Sequence, residues 1–325
     1  MTQGHIGEGH KEDRRGLDII GDVHGHASKL QERLRSLGYE DSTGVYRHPE
    51  RTAVFVGDLV DRGPEQLRVL QIAKGMVDGG SAHIVMGNHE FNAIAYANNL
   101  REHNEKHYKQ HRAFLEQLSE AEQKFYIDWF WTLPLWLDLG DVRVVHACWH
   151  EPSMKVLGGD RLTGPEHLVA ATTKGDPVYE AVEILLKGPE IGLEEPYLDK
   201  ERHSRSKARI KWWHSGATTL RQIAVLDGNF TNAAGDPYPE LPDDEVGELE
   251  RSYVYNDTVP LFYGHYWRRD EPVEHDDWTT YTACVDFSAG SGGTLVAYRW
   301  NGEPTIAVAN YVPHGAEFVA QTAAG

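Results

Sequence analysis

An α/β fold, with a parallel or mixed sheet covered by helices, is predicted from two observations. Three strand–turn–helix units succeed one another early in the chain: the apolar runs Leu17 to Ile20, Ala53 to Val56 and Ala82 to Met86 each lead into a polar turn and a helical segment. Strand-like runs then resume late, at Val259 to Tyr263, Tyr281 to Phe287 and Thr294 to Trp300. A chain of 325 residues, 40% hydrophobic and 25% charged, is long enough to bury an ample core under such a sheet.

The elements follow in order. Residues 1–15 are polar and charged, and a mobile arm is expected there. After the first strand, Leu30, Leu34 and Leu37 recur by four and three, and Gly38 stands where a helix C-terminal glycine belongs. The second helix is expected around 65–77 with Leu67, Leu70 and Val77 inward. Residues 92–131 read as helical, with Phe125, Tyr126, Trp129, Phe130 and Trp131 as an aromatic cluster. Leu135 to Leu139 and Val142 to Val145 form a hairpin about Gly140-Asp141. Residues 151–258 have broken periodicity, and an insertion or cap is expected there, with a short helix at Glu180 to Leu186 and an acidic loop from Asp227 to Glu250. Asn301-Gly302 predicts a second hairpin, into Thr305 to Asn310. The domain thus spans 16–310, and 311–325 is a tail.

The net charge of −18 argues against a nucleic-acid coat or an anionic membrane surface as partner. An anionic substrate then needs a local reversal of sign, which bound cations supply. Cys148 and Cys284 lie in apolar strand-like sequence and are expected as buried thiols; there is no disulfide framework. With no secretory signal and no apolar run of transmembrane length, a soluble chain of the reducing cytoplasm is expected.

Chemistry concentrates at strand ends: Asp22 and His24; Asp58, Asp61 and Arg62; Asn88, His89 and Glu90; His146; and His265. In open α/β sheets, ligands sit beyond the carboxyl ends of the strands, so these residues would meet. Carboxylate, imidazole and amide oxygen together suit divalent transition metals better than Ca²⁺ or Mg²⁺. Two such ions about 3.5–4 Å apart polarise a phosphoryl oxygen and stabilise in-line displacement. Asp58 is the natural bridging carboxylate, His89 held by Asp61 a proton donor to the leaving group, and Arg62 a clamp on phosphoryl oxygens.

The blocks Gly-Asp-Val-His-Gly at 21–25, Gly-Asp-Leu-Val-Asp-Arg-Gly-Pro at 57–64 and Gly-Asn-His-Glu at 87–90 resemble the phosphoprotein-phosphatase branch of the calcineurin-like metallophosphoesterases. That branch includes Ser/Thr protein phosphatases and bacterial dinucleoside tetraphosphatases. The resemblance implies a four-layer α/β/β/α sandwich carrying two divalent metals, manganese first, with iron, zinc, cobalt or nickel as alternatives. It implies Asp22, His24 and Asp58 on one ion, and Asp58, Asn88, His146 and His265 on the other. It implies His89 with Asp61 as the acid, and Arg62 and Asn88 against phosphate. The match covers about 16–150 and 259–300, leaving 151–258 unassigned; the residues following His146 and His265 differ from the family pattern.

The expected activity is hydrolysis of a phosphomonoester by direct attack of a metal-bound hydroxide, in the manner of a Ser/Thr protein phosphatase. The alternative is a dinucleoside polyphosphate hydrolase; an inactive phosphate-binding protein ranks below both. The partner is a phosphorylated substrate: phosphopeptide, nucleotide or small phosphoester. A second basic contact to phosphate is sought at Arg209, Lys211 or Arg268. Trp212-Trp213 is weighed as a base-stacking pair, and the dense cluster of Trp129, Phe130, Trp131 and Trp136 as core. His103, His107 and His111 share a helical face whose charged company predicts a wet surface rather than a metal site. Glu90 is expected to orient a neighbouring loop.

Overall fold

A computed structural model describes residues 16–198, 202–226 and 230–313. The arm at 1–15 and the tail beyond Pro313 lie outside the described residues. The chain opens with β1 (Gly16–Ile20), α1 (Ala27–Ser36), the hairpin β2 (Glu40–Ser42) and β3 (Val45–Arg47), β4 (Arg51–Phe55), α2 (Gln66–Asp78) and β5 (Ala82–Ile84). Helices α3 (Asn88–Ala97), α4 (Glu105–Gln117) and α5 (Glu120–Phe130) lead into the hairpin β6 (Trp136–Asp138) and β7 (Arg143–Val145). Then come α6 (Glu151–Leu157), α7 (Pro165–Thr172), α8 (Pro177–Lys187), β8 (Glu190–Leu198), β9 (Ser204–Ile210), α9 (Leu220–Ile223), β10 (Ala224–Val225) and α10 (Glu248–Ser252). Strands β11 (Leu261–Tyr263), β12 (Thr282–Cys284), β13 (Ala297–Trp300) and β14 (Tyr311–Val312) close the fold.

Two sheets form its centre. One has the order β14-β13-β1-β4-β5, with β1, β4 and β5 parallel and β13 antiparallel to β1. The other has the order β12-β11-β7-β6, with β11 parallel to both neighbours. Successive side chains on a strand face opposite ways, and the cores show it. Ile19, Val54, Val144, Phe262 and Ala283 fill the space between the sheets. Ile20, Phe55 and Ala53 face the helical side with Leu30, Leu70, Ile94 and Phe130. Val145, Leu261, Tyr263 and Cys284 face outward and are covered by Ile210, Trp212, Trp213 and Ile223. Within the 151–258 stretch, buried side chains from Ile210 to Tyr255 therefore supply the outer covering of the second sheet, while those from Leu157 to Leu186 of α6 to α8 join the helical-side core.

Several expectations are corrected. The partner of β13 is not Thr305 to Asn310, where the chain makes a 3-10 turn at Val308–Asn310, but β14, with Tyr298 opposite Tyr311. Tyr311 is buried and its hydroxyl donates to Cys284 O at 3.0 Å, so sheet pairing continues past 310. On α2 the buried stripe is Val69, Leu70, Ile72, Ala73 and Met76, while Leu67 and Val77 are only partly covered. The β2–β3 hairpin escaped notice because four of its six residues, Glu40, Asp41, Ser42 and Arg47, are polar or charged and its pairing leaves no run to read. Trp212 and Trp213 are fully buried between the second sheet and their own loop, which removes them as a stacking surface. Both cysteines are free and buried.

Candidate active site

The polar strand ends converge along one edge shared by the two sheets. Asp22 and His24 follow β1, Asp58 to Arg62 follow β4, and Asn88 and His89 begin α3 just beyond β5. His146 follows β7, and His265 lies two residues after β11. The loops are tightly laced: His24 N donates to Asp58 O at 2.9 Å, and Gly264 N to His146 O at 2.8 Å. A Cβ on Gly264 would stand 2.1 Å from Asp22 Oδ1, so only glycine admits that approach. His24, Asp58, Asp61, Arg62 and His265 all have positive φ, between 45° and 72°. Such strained non-glycine backbone persists where the surroundings enforce it, commonly at functional sites.

Asp58 sits between two groups. His24, Asp58 and His89 each offer a ligand atom, all within 4.8 Å of one another, and so do Asp58, His146 and His265. Asp58 Oδ2 lies 3.6 Å from His24 Nε2, and Oδ1 lies 3.5 Å from His146 Nε2. Asn88 Oδ1 joins the second group, 3.1 Å from His146 Nε2 and 2.9 Å from His265 Nδ1. The rings are fixed from behind, His24 Nδ1 by Val60 O at 2.9 Å and His146 Nδ1 by Val56 O at 2.8 Å. Asp22 is buried, with Oδ2 accepting from His265 N at 3.1 Å. The first geometric group thus holds His89 where the resemblance set Asp22.

The charges are strained in a telling direction. Burial, then Asp286 and Asp58, push the Asp22 carboxyl well above its usual range. Burial and neighbouring positive groups hold His24 down to about 3, and His265 well below its ordinary value. Burial opposes ionisation of Asp58, but His146, His89 and His24 outweigh it and hold its carboxyl low. Asp22 Oδ1 and His24 Nε2 are buried with no hydrogen-bond partner. Neutral imidazoles, crowded carboxylates and orphaned donor atoms fit divalent cations.

Beside this cluster stands a hydrogen-bonded pair, His89 and Asp61. His89 Nδ1 lies 2.6 Å from Asp61 Oδ2, and His89 Nε2 lies 3.8 Å from Asp58 Oδ2. Burial works against charging His89, but Asp58 and Asp61 prevail and raise its pKa. Arg62 is exposed, donates to Ser291 Oγ at 3.0 Å, and lies 4.2 Å from the Trp267 ring centroid. Glu90 accepts from the backbone N–H groups of Asp58, Leu59 and Gly87 at 2.8–2.9 Å, orienting the loop as expected.

Residues 17–179 match the family profile described as Calcineurin-like phosphoesterase. The chain belongs to the calcineurin-like phosphoesterases. A bis(5'-nucleosyl)-tetraphosphatase PrpE from Bacillus thuringiensis (strain Al Hakam) is 43% identical over 305 residues, 91% of this chain and 95% of that one. A PrpE from Geobacillus sp. (strain WCH70) is 33% identical over 300 residues, 92% and 96% of the two chains. A PrpE from Halalkalibacterium halodurans is 50% identical over only 74 residues, 22% of this chain and 30% of that relative. Like other calcineurin-like phosphoesterases, the protein is a hydrolase that uses divalent metal ions. No helix among the described residues is long and apolar enough to cross a membrane.

Of the three basic candidates, two point elsewhere. Arg268 is largely buried, 4.8 Å from the Trp213 ring centroid and 3.1 Å from Asp277 Oδ1, because the chain after His265 folds back into the aromatic layer. Lys211 is paired with Asp276 at 2.6 Å. Arg209 is half-buried, 3.4 Å from Glu190 Oε1, and its charge helps depress His265. His111 corrects the wet-surface expectation: it is 1% exposed and its Nδ1 lies 2.9 Å from Asp61 Oδ2. Helix α4 begins only at Glu105, so His103 is outside it, and His111 shares its inward face with Phe114 instead. Asp286, which accepts from Trp267 N and Ser288 N, was also missed. The signal was available: it lies just beyond β12, as the other site residues lie beyond their strands.

Proposed function

We propose that the protein hydrolyses dinucleoside polyphosphates, with Asp22, His24 and Asp58 holding one divalent ion and Asp58, Asn88, His146 and His265 the other. The observation that carries the substrate class is the alignment over 91% of the chain with a tetraphosphatase. This favours the alternative over the protein-phosphatase reading that the motifs alone put first. Divalent cations held there supply Lewis acidity, polarising a phosphoryl oxygen and activating water. Arg62, steadied by Ser291, orients phosphoryl oxygens with its fork of donors. His89 holds a proton on Nε2, oriented by Asp61 at Nδ1, and gives it to the departing oxygen. Trp267 is 49% exposed beside Arg62, and its indole face suits a nucleobase next to a bound phosphate. Arg209 is the remaining basic candidate for a second phosphoryl contact.

Side-by-side assays of diadenosine tetraphosphate and a phosphoserine peptide, with Mn²⁺ present, test this. Higher kcat/KM on the dinucleotide is expected. Trp267→Ala should raise KM for the dinucleotide by about 5–150-fold, since base–aromatic stacking is worth about 1–3 kcal/mol, and leave KM for p-nitrophenyl phosphate nearly unmoved. A preference for the phosphopeptide would return the protein-phosphatase reading to first place.

A further inference from the structure

Asp61 Oδ2 is shared. It lies 2.6 Å from His89 Nδ1 and 2.9 Å from His111 Nδ1. An ionised carboxylate only accepts, so both rings donate from Nδ1. His89 is then left with Nε2 toward Asp58, and His111 with a buried Nε2 that has no hydrogen-bond partner. The helix that carries His111 docks on the same loop a second time. Gln117 Nε2 donates to Gly63 O at 3.1 Å, and Gln117 Oε1 accepts from Gln66 N at 3.0 Å. Gln66 in turn accepts from Asp61 N at 2.8 Å. Side chain and backbone of Asp61 are thus both tied to α4.

We propose that His111 is a positioning residue for hydrolysis: it fixes the Asp61 carboxylate, so that His89 keeps Nε2 aimed at the leaving oxygen. This rests on His89 as the proton donor. In that step the P–O bond to the leaving group breaks, and the leaving oxygen takes the bonding electron pair and the His89 proton. Water supplies the oxygen that replaces it; one of its protons stays with the phosphate product and the other restores His89. The hydrogen bond from His111 is also the largest influence holding the Asp61 carboxyl low against the effect of burial. A fixed Asp61 orients the His89 ring through Nδ1.

The test is leaving-group dependence. A weakly basic leaving group such as p-nitrophenolate needs little protonation; phenolate needs more. In the manganese-loaded enzyme, His111→Ala should therefore lose about tenfold more kcat on phenyl phosphate than on p-nitrophenyl phosphate, within the range typical of residues that orient a catalytic group. His111→Asn, which can return a donor near Nδ1, should recover most of that difference. Bound metal, measured by elemental analysis, should match the unaltered enzyme in both. Equal losses on the two esters, or no recovery with asparagine, would overturn the proposal. If the alanine variant does not fold, the same comparison with His111→Asn and His111→Phe decides, asparagine keeping the leaving-group profile and phenylalanine losing it. His89→Ala is the control: no selective loss on phenyl phosphate there would instead overturn His89 as donor.

Discussion

Asp58 is the side chain on which the two ligand groups meet, and its neighbours divide by what each ring nitrogen faces. His24 and His146 are pinned through Nδ1 to backbone carbonyls, leaving Nε2 for the cluster. His89 is pinned through Nδ1 to a carboxylate instead, which makes its ring a better proton carrier. Asp58→Asn should lose bound metal and activity together, checked by elemental analysis and p-nitrophenyl phosphate turnover. His89→Ala should keep the metal and slow turnover by about 10²–10⁴-fold, the usual share of a general acid. Metal loss in His89→Ala would instead make it a ligand, as its grouping with His24 and Asp58 allows. The ligand types were legible in the motifs. His111 was not, because counting every fourth histidine ignores where the helix begins.

The turn after β4 is held by its neighbours rather than by its own residues. Glu90, on the first turn of α3, accepts from N–H groups on that turn and from Gly87, and is pushed up to about 7 by burial and by Asp58. Glu90→Ala would leave these buried donors without partners, each costing about 1–3 kcal/mol. The variant should melt at lower urea than the unaltered protein and bind metal more weakly, read by denaturation and elemental analysis. An unchanged urea midpoint would mean that water replaces the carboxylate. Strand β4 was legible because both faces are covered, which writes the unbroken apolar run Ala53 to Val56. The strand at Tyr311–Val312 was not, since two residues form no pattern.

Across the whole molecule, a chain of net charge −18 concentrates carboxylates where an anionic substrate must arrive. Cations held there as proposed would reverse the sign, and would also tie the two sheets together. Asp22, Asp58 and Asn88 come from the edge of one sheet, and His146 and His265 from the other. Removing metal with a chelator should therefore lower the melting temperature, and adding Mn²⁺ should restore it in a concentration-dependent way. Binding to the folded state alone contributes about 2.7 kcal/mol at a hundred times Kd. A melting temperature indifferent to chelator and manganese would mean that these side chains do not hold the ions.

From the sequence by itself came the α/β class, the ligand chemistry and its likeness to a metallophosphoesterase, because a strand's carboxyl end announces itself in a few local residues. Tertiary structure alone decided that His111 turns inward to Asp61, that Trp212-Trp213 are buried and Arg268 is largely covered beside Asp277, and that Trp267 is left open beside Arg62. Exposure depends on which distant segment lies over a side chain, and nothing in its neighbouring residues records that contact.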